Sequence, residues 1–268
     1  MRRIAFGAAL AGALLTGLAA PVTAQQPGES LFGVTSAGIT YGPYLRAELG
    51  IARADPADAH WLPPGYPNDP KVYFDLDIDT PALGGVAVGF DRMDGFRAEL
   101  AFWVIGSRAV EGDWFRTEPP TPGPHARIET EVSSTVLMAN GYFSPLEAMG
   151  RNVRVQPFLT AGIGLASSEM EDWTRFNPAS GRPERRFAGS SGTDFAWSVG
   201  AGVSAEIGRV RGRPLILEAT YRYMDLGTVR GSRSPLPGEG NGRPVRAFGF
   251  DNRQHVATIG LRIPLQAY

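Results

Sequence analysis

The sequence predicts an all-β fold, an eight-stranded antiparallel up-and-down transmembrane β-barrel with short periplasmic turns and long extracellular loops. Three observations carry that expectation. Eight segments alternate in polarity with the period of two that a strand requires. Their connections alternate between short and long, as in barrels that cross an outer membrane. One face of most segments is aliphatic or aromatic and the other carries Gly, Ser, Thr and charge, whereas a soluble barrel would place its apolar face inside.

The first segment, Tyr44–Ala52, sets Leu45, Ala47, Leu49 and Ile51 against Arg46, Glu48 and Gly50. In the second, Gly84–Phe90, Val86, Val88 and Phe90 oppose Gly85, Ala87 and Gly89. The third, Phe96–Val104, alternates Phe96, Ala98, Leu100, Phe102 and Val104 with Arg97, Glu99, Ala101 and Trp103. The fourth, near Val132–Phe143, has contiguous Val136, Leu137 and Met138, which leave its faces unassigned. The fifth, Pro157–Ala166, and the sixth, Phe195–Ala205, place glycine and serine opposite Leu159, Ile163, Trp197 and Val199. In the seventh, Leu215, Leu217, Ala219, Tyr221 and Tyr223 alternate with Glu218, Thr220 and Arg222. The eighth, His255–Leu265, sets Ala257, Ile259, Leu261 and Ile263 against Thr258, Gly260 and Arg262.

Short links fall at Asp91–Gly95, Ser144–Arg154 and Ile207–Pro214, and polar Pro/Gly-rich stretches at Asp55–Pro81, Gly106–Arg127, Ser167–Thr193 and Gly227–Arg253. With 34 glycines and 22 prolines the chain disfavours long helices. The N-terminus reads as a secretory signal: Arg2 and Arg3, an apolar run from Ile4, then small residues ending at Ala24. We therefore expect a signal peptide over 1–24, a periplasmic segment over 25–40 and a barrel over 41–268. Beyond Ala24 no run of ~20 apolar residues offers a transmembrane helix. An exported chain without cysteine has no disulfides to stabilise it. A formal net charge of −1 suggests no nucleic-acid partner.

On these registers Arg46, Glu48, Arg97, Glu99, Glu218, Arg222 and Arg262 face the lumen. Charges in so narrow a space must pair to offset their desolvation, so the expected interior is plugged by an Arg/Glu network. Phe90, Phe102, Trp197, Tyr221 and Tyr223 are expected on the lipid-facing or interfacial wall.

The segments "QPFLTAGIGLA" (Gln156–Ala166), "FAWSVGAGVSAEI" (Phe195–Ile207), "LEATYRYMDLG" (Leu217–Gly227) and "HVATIGLRIPL" (His255–Leu265) resemble those of the opacity/OmpA-like eight-stranded outer-membrane β-barrel proteins. The resemblance runs from about Tyr41 to Leu265 and implies insertion by the barrel-assembly machinery, contact with outer-membrane lipid and lipopolysaccharide, and a structural or surface-interaction role of adhesin or antigen type, with an unidentified surface ligand. Two departures are visible. Tyr268 falls out of phase with the apolar register that ends at Leu265, and no peptidoglycan-binding domain follows, so a cell-wall tether is not expected.

A porin-like solute channel, a lipid A-modifying barrel enzyme and a soluble barrel with an apolar ligand are the other readings. The three histidines, His60, His125 and His255, have no closely spaced serine to act as a nucleophile, so no enzyme, catalytic residue or cofactor is expected. Asp75, Asp77 and Asp79 share one face of an extended run but lack the glycine and terminal glutamate of a calcium loop, so no metal site is expected and a solvent-facing hairpin is. Arg182, Arg185 and Arg186 could meet lipopolysaccharide phosphates or form a solvated charge run.

Overall fold

The computed structural model describes residues 42–265 apart from 124, 152 and 178–183. The predicted signal peptide, the segment 25–40, Arg182 and Tyr268 lie outside the described residues. Among the described residues, twelve strands and one short helix follow in order: β1 (Gly42–Ala54), β2 (Ala57–Leu62), β3 (Lys71–Ile78), β4 (Ala82–Asp91), β5 (Phe96–Glu118), β6 (Arg127–Phe143), α1 (Pro145–Ala148), β7 (Gln156–Met170), β8 (Trp173–Phe176), β9 (Arg185–Phe187), β10 (Ser190–Val210), β11 (Arg213–Arg230) and β12 (Arg246–Pro264). Eight of them, β1, β4, β5, β6, β7, β10, β11 and β12, pair antiparallel with their neighbours in that order, and β12 closes the ring on β1. Closure removes every sheet edge within the ring, so its backbone groups are satisfied internally.

The three short links, one of which carries α1, lie at one end of the ring. The tightest joins β10 to β11, where Val210 pairs with Arg213 around Arg211 and Gly212, both at positive φ. That is the mirror-image two-residue turn whose twist matches the flanking strands.

The long links differ from the sequence expectation, because much of them is strand. β5 runs on to Glu118, β6 begins at Arg127 and β12 at Arg246. Where β1 and β4 stop, β2 pairs with β12 and β3 pairs with β5, so the wall rises beyond the ring; β8 and β9 extend it from β6. Proline and glycine had suggested loops throughout Asp55–Pro81, yet Pro63, Pro64, Pro67 and Pro70 all sit between β2 and β3 and leave the strands themselves free.

Along β5 the two faces exchange. Below Ile105, Phe96, Leu100, Phe102 and Val104 are exposed while Arg97, Glu99, Ala101 and Trp103 are buried. A register shift between Ile105 and Arg108 then inserts an extra residue, and above it Arg108, Val110 and Gly112 point inward while Ser107, Glu111 and Asp113 face out. Bulges of this kind re-aim side chains. β6 needs no bulge and changes character along its length: outward Leu137 gives way to Glu131 and Glu129, and inward Asn140 and Tyr142 give way to Val132 and Ile128.

The lower ring is therefore aliphatic outside and partly charged inside. Its outward residues include Leu49, 74% exposed, with Val88, Leu159, Ile163, Val199 and Ile259 around the wall. A continuous apolar belt of this size would be untenable in water and defines a membrane-facing surface. Above it the molecule follows soluble-protein rules. The buried core there is Trp61, Val72, Phe74, Val110, Ile128, Val132, Met170, Trp173, Phe187, Phe248 and Phe250, with acidic residues outside. Trp173 stacks on Phe187 at 4.2 Å, and Phe74 meets Phe248 edge-on at 5.6 Å. The fold is a transmembrane β-barrel carrying a packed cap.

Candidate functional site

Alternation along each strand aims the predicted lumen residues at one another near the turn end. Arg46, Glu48, Arg97, Glu99, Glu218, Arg222 and Arg262 are all buried there. Arg46 donates through Nε to Glu99 Oε2 at 3.0 Å and through Nη2 to Glu99 Oε1, and its Nη1 reaches Glu48 Oε2 at 2.7 Å. Arg222, 1% exposed, donates to Glu48 Oε2 at 3.4 Å and to the Tyr142 hydroxyl at 3.1 Å. Arg97 pairs with Glu218 Oε1, and Arg262 Nε donates to the same oxygen at 2.9 Å.

Several partners were not singled out from sequence. Asp91 accepts from Arg262 Nη1 at 2.6 Å and supplies a fourth carboxylate to the four arginines. Tyr44 donates to Glu99 at 3.0 Å, Thr258 donates to Glu48 at 2.8 Å, and the Trp103 indole N–H and the Tyr142 hydroxyl cap Glu48 and Glu99. Tyr44 was within reach of the sequence, since it shares the phase of Arg46 and Glu48. Gly85 gives Trp103 its place, because a Cβ there would overlap the indole ring. Each lumen carboxylate thus accepts from at least two donors, the condition under which buried charge is tolerable.

Over this network lies a second barrier. Ala52, Leu83, Ala87, Ala101, Trp103, Ile105, Val136, Met138, Ala166, Ala196, Met224, Leu226 and Val256 form a buried apolar cluster across the lumen. The network and this cluster occupy successive levels of the lumen.

On the wall, Phe90, Phe102, Trp197 and Tyr221 are exposed. Tyr223 is half-buried on the same face, 5.8 Å from Trp197 and 5.3 Å from His255. Tyr221 shares a 2.6 Å hydrogen bond with His255 Nδ1, and His255 Nε2 lies 3.7 Å from Asp55. Phe96 and Phe143, 4.8 Å apart, join Phe90 at the turn end, while Phe195, Trp197, Tyr221 and Tyr223 lie toward the loop end on the adjacent strands β10 and β11. Aromatic residues at both ends of an apolar belt match the interfacial girdles of membrane barrels.

His60, expected in a loop, is buried in β2, donating from Nδ1 to the Asp58 carbonyl at 2.7 Å. Burial among cap side chains lowers its pKa. His125 packs edge-on against Trp114 at 5.0 Å. Asp75, Asp77 and Asp79 are exposed beside the cap wall, with Asp75 opposite Asp113 and Asp77 opposite Glu111. Arg185 donates to the Gly242 carbonyl at 2.7 Å, and Arg186 is exposed on the neighbouring β9 position. The loop between β11 and β12 forms a groove of about 690 Å³ lined by Pro235, Leu236, Pro237 and Arg243, among others.

No family model matches the chain, and no curated protein sequence matches it. Solved structures do. The chain is similar to the neisserial surface protein A (NspA) at 15% identity, covering 83% of this chain and 96% of that one with a TM-score of 0.43. It is similar to the outer membrane protein OprG from Pseudomonas aeruginosa at 18% identity, covering 84% and 97% with a TM-score of 0.42. It is also similar to the outer membrane protease OmpT from Escherichia coli at 12% identity, covering 83% and 97% with a TM-score of 0.45. The resemblance to opacity/OmpA-like eight-stranded barrels holds at the level of the fold. The expectation that the chain is no enzyme is corrected by the last of these matches: barrels of this general shape include a protease, and the exclusion of catalysis does not stand.

Proposed function

We propose that the protein resides in the bacterial outer membrane, where its barrel holds a rigid cap at the cell surface for structural or surface-interaction work of adhesin or antigen type. The exchange of faces at the Ile105–Arg108 bulge carries this reading. Below it the wall suits lipid, and above it the chain folds as a water-soluble body with an aromatic core. A rigid body of that kind presents its tips, Pro63–Pro70 and the groove beside Arg243, in a fixed arrangement. Export by residues 1–24 with cleavage after Ala24, insertion by the barrel-assembly machinery, and contact with lipopolysaccharide belong to the same reading.

A lumen crossed by the paired charges and by the apolar cluster favours this role over a porin-like channel. Cells lacking the protein, complemented with either the wild type or a variant whose 63–70 and 235–243 tips are replaced by glycine-serine linkers, test it. Adherence or ligand capture restored by the wild type and lost in the variant supports the proposal. Equal restoration by both, together with steady solute conductance of the purified protein in planar bilayers, would transfer the role to the lumen.

A further inference from the structure

The lumen contains a fifth buried arginine. Arg108 is 2% exposed and stands on β5 between Ile105, in the lower apolar cluster, and Val110, in the cap core. The same height is polar on three further strands, β6, β7 and β12. Ser134 lies between Val132 and Val136, Ser168 between Ala166 and Met170, and Asn252 and Gln254 between Phe250 and Val256. These side chains join into one layer. Arg108 Nη2 donates to Asn252 Oδ1 at 2.9 Å, Gln254 Nε2 donates to the same oxygen at 2.8 Å, and Asn252 Nδ2 donates to Ser134 and Ser168 at 3.3 Å each.

The charge balance of this layer differs from that of the network below. There, four arginines meet Glu48, Glu99, Glu218 and Asp91. Arg108 forms no ion pair with any described residue, and its Nε and Nη1 meet no acceptor among them. An arginine cannot shed its proton to escape such a setting. Hydrogen bonds donated to neutral acceptors would satisfy its N–H groups yet leave a full positive charge between two apolar layers, which is the costly arrangement. A single negative charge beside Nε and Nη1 offsets that cost.

We propose that Arg108 is the binding group of a site for one small monovalent anion, a halide, inside the barrel between the lower apolar cluster and the cap. The occupant is small because apolar side chains crowd the layer from both sides. It is monovalent because one guanidinium supplies the positive charge.

The test uses the full-length protein refolded in detergent, with chloride exchanged for gluconate at constant ionic strength and the unfolding midpoint followed by tryptophan fluorescence. The midpoint of the wild type should rise with chloride concentration as a ligand-linked transition does, and that of Arg108→Gln should not respond. No chloride dependence in the wild type, or the same dependence in both proteins, would overturn the site. Crystals of the wild type grown in bromide give a reading that does not depend on the variant folding. An anomalous peak within hydrogen-bond distance of Arg108 Nε or Nη1 supports the proposal, and its absence from a well-ordered Arg108 overturns it.

Discussion

Arg46 on β1 and Glu99 on β5 form a two-pronged ion pair across β4, joining residues 53 positions apart in the chain. The same carboxylate accepts from Tyr44 and Tyr142, so three strands that are not all neighbours are fastened at one point inside the barrel.

Removing one partner should cost more than losing the pair. Glu99→Gln leaves the Arg46 guanidinium buried without its principal counter-charge, and a loss of about 3–5 kcal/mol is expected. Urea unfolding of the refolded protein measures it. A change within error would mean that solvent reaches the network.

The outer wall should distinguish its two halves. Leu100→Arg places a charge in the apolar belt and should destabilise the barrel in lipid by about 2–4 kcal/mol. Asp113→Arg, on the outward face above the bulge, should change stability little. Equal costs in lipid vesicles would remove the boundary drawn between belt and cap.

The cap should melt separately from the ring. Trp173→Ala deletes a fully buried ring that stacks on Phe187, and a loss of about 3–5 kcal/mol in cap stability is expected. Limited proteolysis should then cut the cap first while the barrel keeps its heat-modifiable migration on gels. Loss of both together would show that cap and ring form one cooperative unit.

Acidification should loosen the cap through His60. Its folded pKa lies below the unfolded value of about 6.5, so the unfolded chain takes up the proton first as pH falls. Stability is full above that value, declines as pH drops through about 6.5, and levels off below the folded pKa. The slope of the unfolding midpoint against pH should flatten in His60→Gln. An unchanged slope in that variant would assign the acid response to other groups.

Much of the ring was legible because a barrel wall obeys a period of two with little interference from packing. Tyr221 and Tyr223 outside with Arg222 inside follow directly from that period, as does the inward set on β1 and β5. The cap was not legible. Its strands carry charge outward and aromatics inward, the reverse of the ring, and the two patterns meet at a bulge whose sequence trace is Gly106 alone. Asp91 was missed for a related reason: it stands at the mouth of a tight turn, where an acidic residue reads as turn chemistry. Arg108 fell inside a stretch read as loop, so its burial had no signature.

The account's central claim is that the wall changes solvent at the bulge. The chain has no cysteine, so single cysteines can be placed along β5 from Phe96 to Asp113 in an otherwise native background. In lipid vesicles, a fluorophore on positions 96, 98, 100, 102 and 104 should be quenched by a lipid-soluble agent, and one on 107, 109, 111 and 113 by an aqueous agent. Aqueous quenching at Leu100 and Phe102, or lipid quenching that continues past Ser107 on the outward positions, would contradict it.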